Sequence, residues 1–211
     1  MLTIYGRATS SNVQKVMWTV GELGLAHERL DFGGAFGGLD TPDYLAMNPW
    51  GLIPVVKFDD GRTMFESNAI VRHLARQDPE RRLWPEAREA EADMWAEWAH
   101  NAVMRPVIAL FWAYVRTLPE QRDEGAIAGH LSEIARALKV ADAALEGQSY
   151  MVGETLTIAD IQLGHVLYRY FTMPVEHADV PNVAAYYTRL TERQAYATHA
   201  MVDYSSLWAT A

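Results

Sequence analysis

The chain contains no cysteine. That excludes a disulfide scaffold, a thiolate zinc site and a cysteine nucleophile, each of which needs that sulfur. Cations are the scarcer charge: 18 Lys and Arg against 27 Asp and Glu give a formal net charge of −9. Nucleic acid is thereby disfavoured as the main partner, because neutralising phosphates takes clustered Lys and Arg. No apolar run is long enough to span a bilayer. The opening residues, Met1 to Arg7, lack the basic-then-apolar order of a signal peptide. The expectation is a cytoplasmic protein with no membrane or nucleic-acid partner. What the chain has in quantity is apolar material. Half of its 211 residues are hydrophobic, enough to bury a sizeable core in one large domain or two small ones.

The first part of the chain reads as mixed α/β. Leu2 to Tyr5 is a short apolar run stopped by Gly6, which suits a buried strand. Val13, Val16, Met17, Val20 and Leu23 keep helical spacing, with Gly24 as the stop, and Glu28 to Phe32 suits a second strand. Strand, helix, strand at this spacing predicts a parallel pair. Gly33, Gly34, Gly37 and Gly38 mark a loop, and Thr41-Pro42 starts a short helix. Val55 to Phe58 and Arg62 to Phe65 flank Asp59-Asp60-Gly61, a hairpin signal. A helix opens at Ser67 and closes near Asp78-Pro79.

After Trp84-Pro85 the pattern is helical, with almost no strand signal. Residues 86–117 read as one long pattern bent at Pro106 and ended by Leu118-Pro119. Further helices run to about Gly147, from Thr157 to Phe171, from Pro181, and from about Thr191. The expected organisation is an α/β domain at 1–78, a linker at 79–85 and an all-helical domain at 86–211.

Two segments carry the chemistry. In Asn48-Pro49-Trp50-Gly51-Leu52-Ile53-Pro54-Val55, Pro54 precedes a strand, where its missing N–H is tolerated. A cis bond there would turn the Ile53 backbone outward with its polar groups available. In Glu66-Ser67, a helix N-terminus offers a site for a carboxylate and the adjacent acid a site for an ammonium. Side by side, these could hold an amino-acid head group and a peptide backbone, which is what a γ-glutamyl peptide presents. Ser10-Ser11-Asn12 stands between the first strand and first helix, and Thr157-Ile158-Ala159-Asp160 forms a capping box before an apolar run.

In their order and spacing these motifs make the chain resemble the cytosolic glutathione transferases, of the bacterial type with a serine or asparagine active site. The resemblance covers nearly the whole chain. It implies a thioredoxin-like N-terminal domain, an all-α C-terminal domain, and a homodimer. It implies glutathione as co-substrate, attacking a small electrophile in a detoxification reaction that needs no metal. On the residues matching the family motifs, Ile53 with cis-Pro54 pairs with the peptide backbone of glutathione, Trp50 and Leu52 flank it, and Glu66 and Ser67 hold the γ-glutamyl end. Ser10 falls where serine-type members carry the thiolate-stabilising hydroxyl, with Ser11 and Asn12 as close rivals. Tyr5 lies earlier than tyrosine-type members need. Arg105, Ile108 and Trp112 share a helical stripe with Met94, Trp98 and Asn101, suited to an electrophile pocket, a subunit interface, or core with a snorkelling arginine. Asp160 is expected to serve folding rather than chemistry.

The chain departs from the family at Leu52, where many members carry Lys or another polar group. Residues 32–52 contain no Lys, Arg or His, so the usual cation for the glycyl carboxylate is missing from its usual segment. The Trp50 N–H, the Gly33–Gly38 backbone or a partner subunit could substitute. A non-catalytic binding or scaffold protein and a glutathione-dependent disulfide reductase are the alternative functions.

Overall fold

The structure, a computed structural model, describes residues 1–210. Its first part is a four-stranded sheet of order β2-β1-β3-β4, made by β1 (Leu2–Tyr5), β2 (His27–Leu30), β3 (Val55–Lys57) and β4 (Thr63–Phe65). β1 and β2 run parallel, Leu2 opposite His27, as the strand–helix–strand pattern predicts. β1 pairs antiparallel with β3, Ile4 opposite Val56, and β3 with β4 in the expected hairpin. Gly61 turns that hairpin at φ 85°, a backbone state that a side chain resists.

Three helices complete this part: α1 (Ser11–Glu22), α2 (Pro42–Met47) and α3 (Ser67–Gln77). Thr41 caps α2, its hydroxyl accepting from the Tyr44 N–H at 3.3 Å, with Pro42 in the first turn. α1 is buried on nearly every side from Val13 to Val20, because it packs against α3 and against helices of the second part. Those are α4 (Glu89–Trp98), α5 (Arg105–Val115), α6 (Glu124–Ala144), α7 (Ile158–Gly164), α8 (Leu167–Thr172), α9 (Pro181–Thr191) and α10 (Gln194–His199). The buried apolar residues form one continuous cluster, from Ile4 and Trp18 through Leu83 and Trp84 to Ile161 and Leu190.

Two expectations need correction. The pattern over 86–117 does run as one continuous helical stretch, Glu89 to Val115, but its irregularity is not at Pro106. The disturbance comes earlier, where Ala99–Met104 wind as a π turn, and Pro106 then sits in the first turn of α5, where its missing N–H costs little. Nor is Thr157 to Phe171 one helix. It breaks between α7 and α8, at His165-Val166. There the Tyr196 hydroxyl donates to the Gly164 carbonyl at 2.9 Å, and the buried His165 places Nδ1 3.1 Å from the Ile161 carbonyl. Tertiary and side-chain partners take over where the helical ladder stops.

The capping box at the head of α7 is present as predicted. Asp160 Oδ2 accepts from the Thr157 N–H at 2.7 Å and from its hydroxyl at 3.1 Å. Asp160 Oδ1 also accepts from the Met151 N–H at 2.9 Å and the Tyr186 hydroxyl at 3.0 Å. Burial pushes the Asp160 carboxyl up to about 6, against the pull of these donors. Asp160→Ala strands two backbone N–H groups and a tyrosine hydroxyl in the core, each costing about 1–3 kcal/mol. The expected loss is about 3 kcal/mol or more in urea denaturation, while the folded fraction keeps its activity. Intact stability with lost activity would reverse the structural assignment.

Candidate functional site

The loop from Gly6 to Ser10 joins β1 to α1 and is pinned along its length. Gly6 N–H donates to the Leu30 carbonyl at 2.8 Å, and Arg7 N–H to Phe32 at 3.1 Å. Gln14 Nε2 holds the Ala8 carbonyl at 3.1 Å, and Arg169 Nη2, from α8, holds the Thr9 carbonyl at 2.5 Å. Ser10 therefore reaches the N-cap position of α1 on a fixed backbone. Its hydroxyl does not cap the helix, whereas the N-cap hydroxyls of α2 and α7 do. A half-buried Oγ is left available at a positive helix end.

The N-termini of α1 and α3 meet beside it. Ser67 Oγ donates to Asn12 Oδ1 at 3.2 Å. Glu66 precedes Ser67 with φ 69°, left-handed backbone that costs a non-glycine residue about 1–3 kcal/mol and that concentrates at functional sites. Its side chain is exposed and does not cap α3. Ser11 is buried. Tyr5 is occupied in an aromatic cluster, edge-on to Phe32 and Tyr44.

On the other flank, the Ile53-Pro54 bond is cis. Ile53 is half-buried over Gly6 and Gly33, and neither its N–H nor its carbonyl hydrogen-bonds to another described residue. The preceding loop is rigid, since the Leu52 carbonyl accepts from both the Tyr44 hydroxyl and Asn48 Nδ2 at 2.8 Å. The Leu52 side chain and the Trp50 indole are exposed, at 51% and 72%.

Under this surface lies Lys15. Its side chain is fully buried, with Nζ 2.6 Å from Asn68 Oδ1 and 3.9 Å from Met104 Sδ. Burial pushes its ammonium down to about 7, with Glu66 drawing it upward.

The second part of the chain carries the stripe expected to line an electrophile pocket. Ile108 and Trp112 follow one another along a face of α5, Ile108 half-buried and Trp112 54% exposed, with the Arg116 guanidinium 4.4 Å over the Trp112 ring. Arg105 is exposed at the start of the same helix, two turns from Trp112. Met94, Asn101, Arg105 and Trp112 of the stripe are exposed, while Trp98 and Ile108 pack against the core. Sequence reasoning missed Arg7 and Arg169. Arg7 lies against the glycine loop, where a side chain at Gly34 would meet its Nε at 3.3 Å. A cation thus does stand beside residues 33–34, contributed from outside segment 32–52. Among the described residues, no group of three or more His, Asp or Glu side chains is placed to hold a metal ion, and no helix is long and apolar enough to cross a membrane.

Comparison with known proteins agrees in order and extent. Residues 9–77 match the family description "Glutathione S-transferase, N-terminal domain", and residues 99–194 match "Glutathione S-transferase, C-terminal domain". Glutathione S-transferase GstB of Escherichia coli is 36% identical over 208 residues, spanning 97% of this chain and 100% of that protein. Glutathione S-transferase 4 of Zea mays is 29% identical over 91% of this chain and 88% of its own length. The theta class glutathione S-transferase of Xanthomonas axonopodis pv. citri, solved with glutathione bound, superposes with a TM-score of 0.90 at 41% identity, covering 96% of this chain and 98% of that one.

Lys15 gives the site a pH signature. Unfolded, it keeps its proton up to about pH 10; folded, it releases it near 7. Between those values the unfolded chain binds more protons, so the contribution of Lys15 to stability rises with pH, and below 7 the buried cation weighs on the fold in full. Lys15→Met removes the titration. Its stability relative to wild type should be about 2–3 kcal/mol more favourable at pH 6 than at pH 9. Urea titrations at both pH values read this, and equal differences would show that Lys15 does not titrate in the window.

Proposed function

The chain belongs to the glutathione S-transferase family, and from that premise we propose how its site works. Glutathione is the first substrate. Residues 1–78 hold it, residues 86–211 receive a small electrophile, and residues 79–85 join the two. Ser67 and the N–H groups at the head of α3 take the γ-glutamyl carboxylate, which a helix N-terminus favours, and Glu66 takes the ammonium. The unpaired N–H and carbonyl of Ile53 pair with the cysteinyl unit, flanked by Pro54, Leu52 and Trp50. Ile108 and Trp112 form the wall that the electrophile meets, with Arg105 at its outer end.

The chemistry is thiolate stabilisation and proximity. A free thiol has a pKa near 8.5, and lowering it by two units takes roughly 2.7 kcal/mol of preference for the anion. The Ser10 hydroxyl donates to the sulfur at the positive end of α1, while Ser11 and Asn12 hold the helix start in place. One observation carries this assignment: the Ser10 hydroxyl occupies an N-cap position and is not used as a cap.

A neutral donor to an anion is worth about 1.5–3 kcal/mol, or one to two pKa units. Ser10→Ala should raise the ultraviolet thiolate titration of bound glutathione by that much and lower turnover at neutral pH. Glutathione affinity by calorimetry should stay nearly intact. An unmoved titration in Ser10→Ala, with a shift in Ser11→Ala or Asn12→Ala, transfers the role to that neighbour.

The working unit in this proposal is a cytoplasmic homodimer acting in detoxification, joined through α3 and α4. Phe65 and Met94 leave apolar surface exposed beside these helices, and Arg72 of α3 is already fixed by Asp93 and Glu97 of α4. Light scattering should return about twice the 23.7 kDa chain mass. A monomer at micromolar concentration refutes the dimer.

A further inference from the structure

Three arginines from three elements converge where the β1–α1 loop faces the end of α5. Arg7 comes from the loop, Arg116 from the C-terminal end of α5, and Arg169 from α8. Each acts electrostatically on another: Arg116 depresses Arg7, and Arg7 and Arg116 both depress Arg169, in each case after burial, the larger cause. Among the described residues none of the three has a carboxylate within ion-pair distance. Arg169 is 4% exposed, and its Nε lacks a hydrogen-bond partner even though Nη2 holds the Thr9 carbonyl. Buried guanidinium groups are ordinarily paired, and like charges gathered without a counter-charge oppose folding. In a chain of net charge −9 this concentration of cations is not a matter of supply. Acids do neutralise Arg29, Arg72 and Arg193, whereas the partly buried Arg122 and Arg189 likewise have no carboxylate partner among the described residues.

The cluster adjoins one exposed aromatic ring, Trp112, and the buried ring of Phe111. Arg116 stacks on Trp112, which keeps 54% of its surface exposed, and the Phe111 ring lies 4.7 Å from the Arg169 guanidinium. The exposed Trp112 ring, with a guanidinium stacked over it, suits a flat molecule bearing a carboxylate, since arginine engages carboxylates with two parallel donors.

We propose that Arg7, Arg116 and Arg169 form an anion subsite between the β1–α1 loop and α5, and that it takes a carboxylate carried by the electrophile. This rests on the glutathione transferase reading of the same cleft. It narrows the second substrate to anionic, planar electrophiles. For an aryl chloride the step is a substitution. The glutathione sulfur forms a bond to the ring carbon bearing chlorine, the carbon–chlorine bond breaks, and chloride leaves with the electron pair. The thiol proton has already gone to solvent, and nothing is oxidised or reduced. A carboxylate could also reach the cluster as the glycyl end of glutathione, because Arg7 borders Gly33 and Gly34.

The test uses matched probes that differ only in charge. Binding of 3,5-dinitrobenzoate and 3,5-dinitrobenzamide is measured by calorimetry, and turnover is measured with their 4-chloro derivatives and glutathione. The wild-type protein should favour the carboxylate at least tenfold in both measurements. Arg116→Gln and Arg7→Gln should each bring the ratio close to one, and Arg116→Lys, which keeps the charge but loses the fork and the stacking, should retain only part of it. A ratio near one in the wild-type protein overturns the proposal, as does a ratio that survives both glutamine variants. Glutathione affinity weakened tenfold in those variants, with the ratio unchanged, also overturns it and assigns the cluster to the glycyl carboxylate. Because probe binding requires no glutathione, the two readings fail separately. Absent glutathione binding in the wild-type protein defeats the transferase site, and absent carboxylate preference defeats the subsite.

Discussion

A buried ammonium joins the parts of this molecule that have to stay in register. Lys15 extends from α1 to Asn68 at the head of α3 and rests against Met104, the last residue of the π turn. A lysine cut off from water is costly unless something offsets the loss. Here the offset is one short hydrogen bond and the carboxylates of Glu66 and Glu97. The geometry that serves the lysine also fixes the site. Asn68 is one residue from Ser67 and two from Glu66, so the anchor that secures α1 to α3 places the two helix N-termini on which the candidate chemistry depends. An apolar residue would pack there more cheaply, but it would leave Asn68 without its donor.

α1 extends that dependence to the whole chain. It presents Val13, Val16 and Val20 to the core and carries Trp18 edge-on to Tyr196 of α10. At its far end Glu22 binds Arg193 at 2.6 Å. The sheet and the helices therefore share one apolar interior, with Leu83 and Trp84 of the joining segment buried inside it. The proposed site lies at the seam, with its floor assigned to one side and its aromatic wall to the other. Arg169 binds the Thr9 carbonyl across that seam.

Local rules made much of this legible. Thr41-Pro42, the Asp-Gly hairpin turn, Thr157 with Asp160, and the strand–helix–strand start all specify structure through neighbours a few residues away, and all appear where expected. Ser10, Asn12, Ser67 and Ile53 could be assembled because their motifs keep a fixed order. What could not be read depends on distant partners. The only local signal at the α7–α8 break is Gly164, packed so closely that a side chain would meet Leu190 and Trp18 within 3 Å, and its carbonyl is taken up by the distant Tyr196 hydroxyl. The arginine cluster draws on positions 7, 116 and 169, which no periodicity connects. Nothing in the neighbours of Lys15 signals burial, and only the packing of α3 and the π turn over it makes it a buried charge.

The π turn at Ala99–Met104 has a consequence for how this chain can vary. Such a turn holds a surplus residue within a helix, and each residue carries about 100° of rotation about the axis. Everything after it, including Ile108, Trp112 and Arg116, faces its direction because that surplus is retained. Deleting a single residue there would let α4 and α5 join into one regular helix, a change that local geometry welcomes. It would also swing the aromatic wall and its arginine about a quarter-turn away from the β1–α1 loop. Length changes are usually absorbed by loops; in this chain one lies in wait inside a helix, where it would redirect what the cleft accepts while sparing the residues that hold the first substrate.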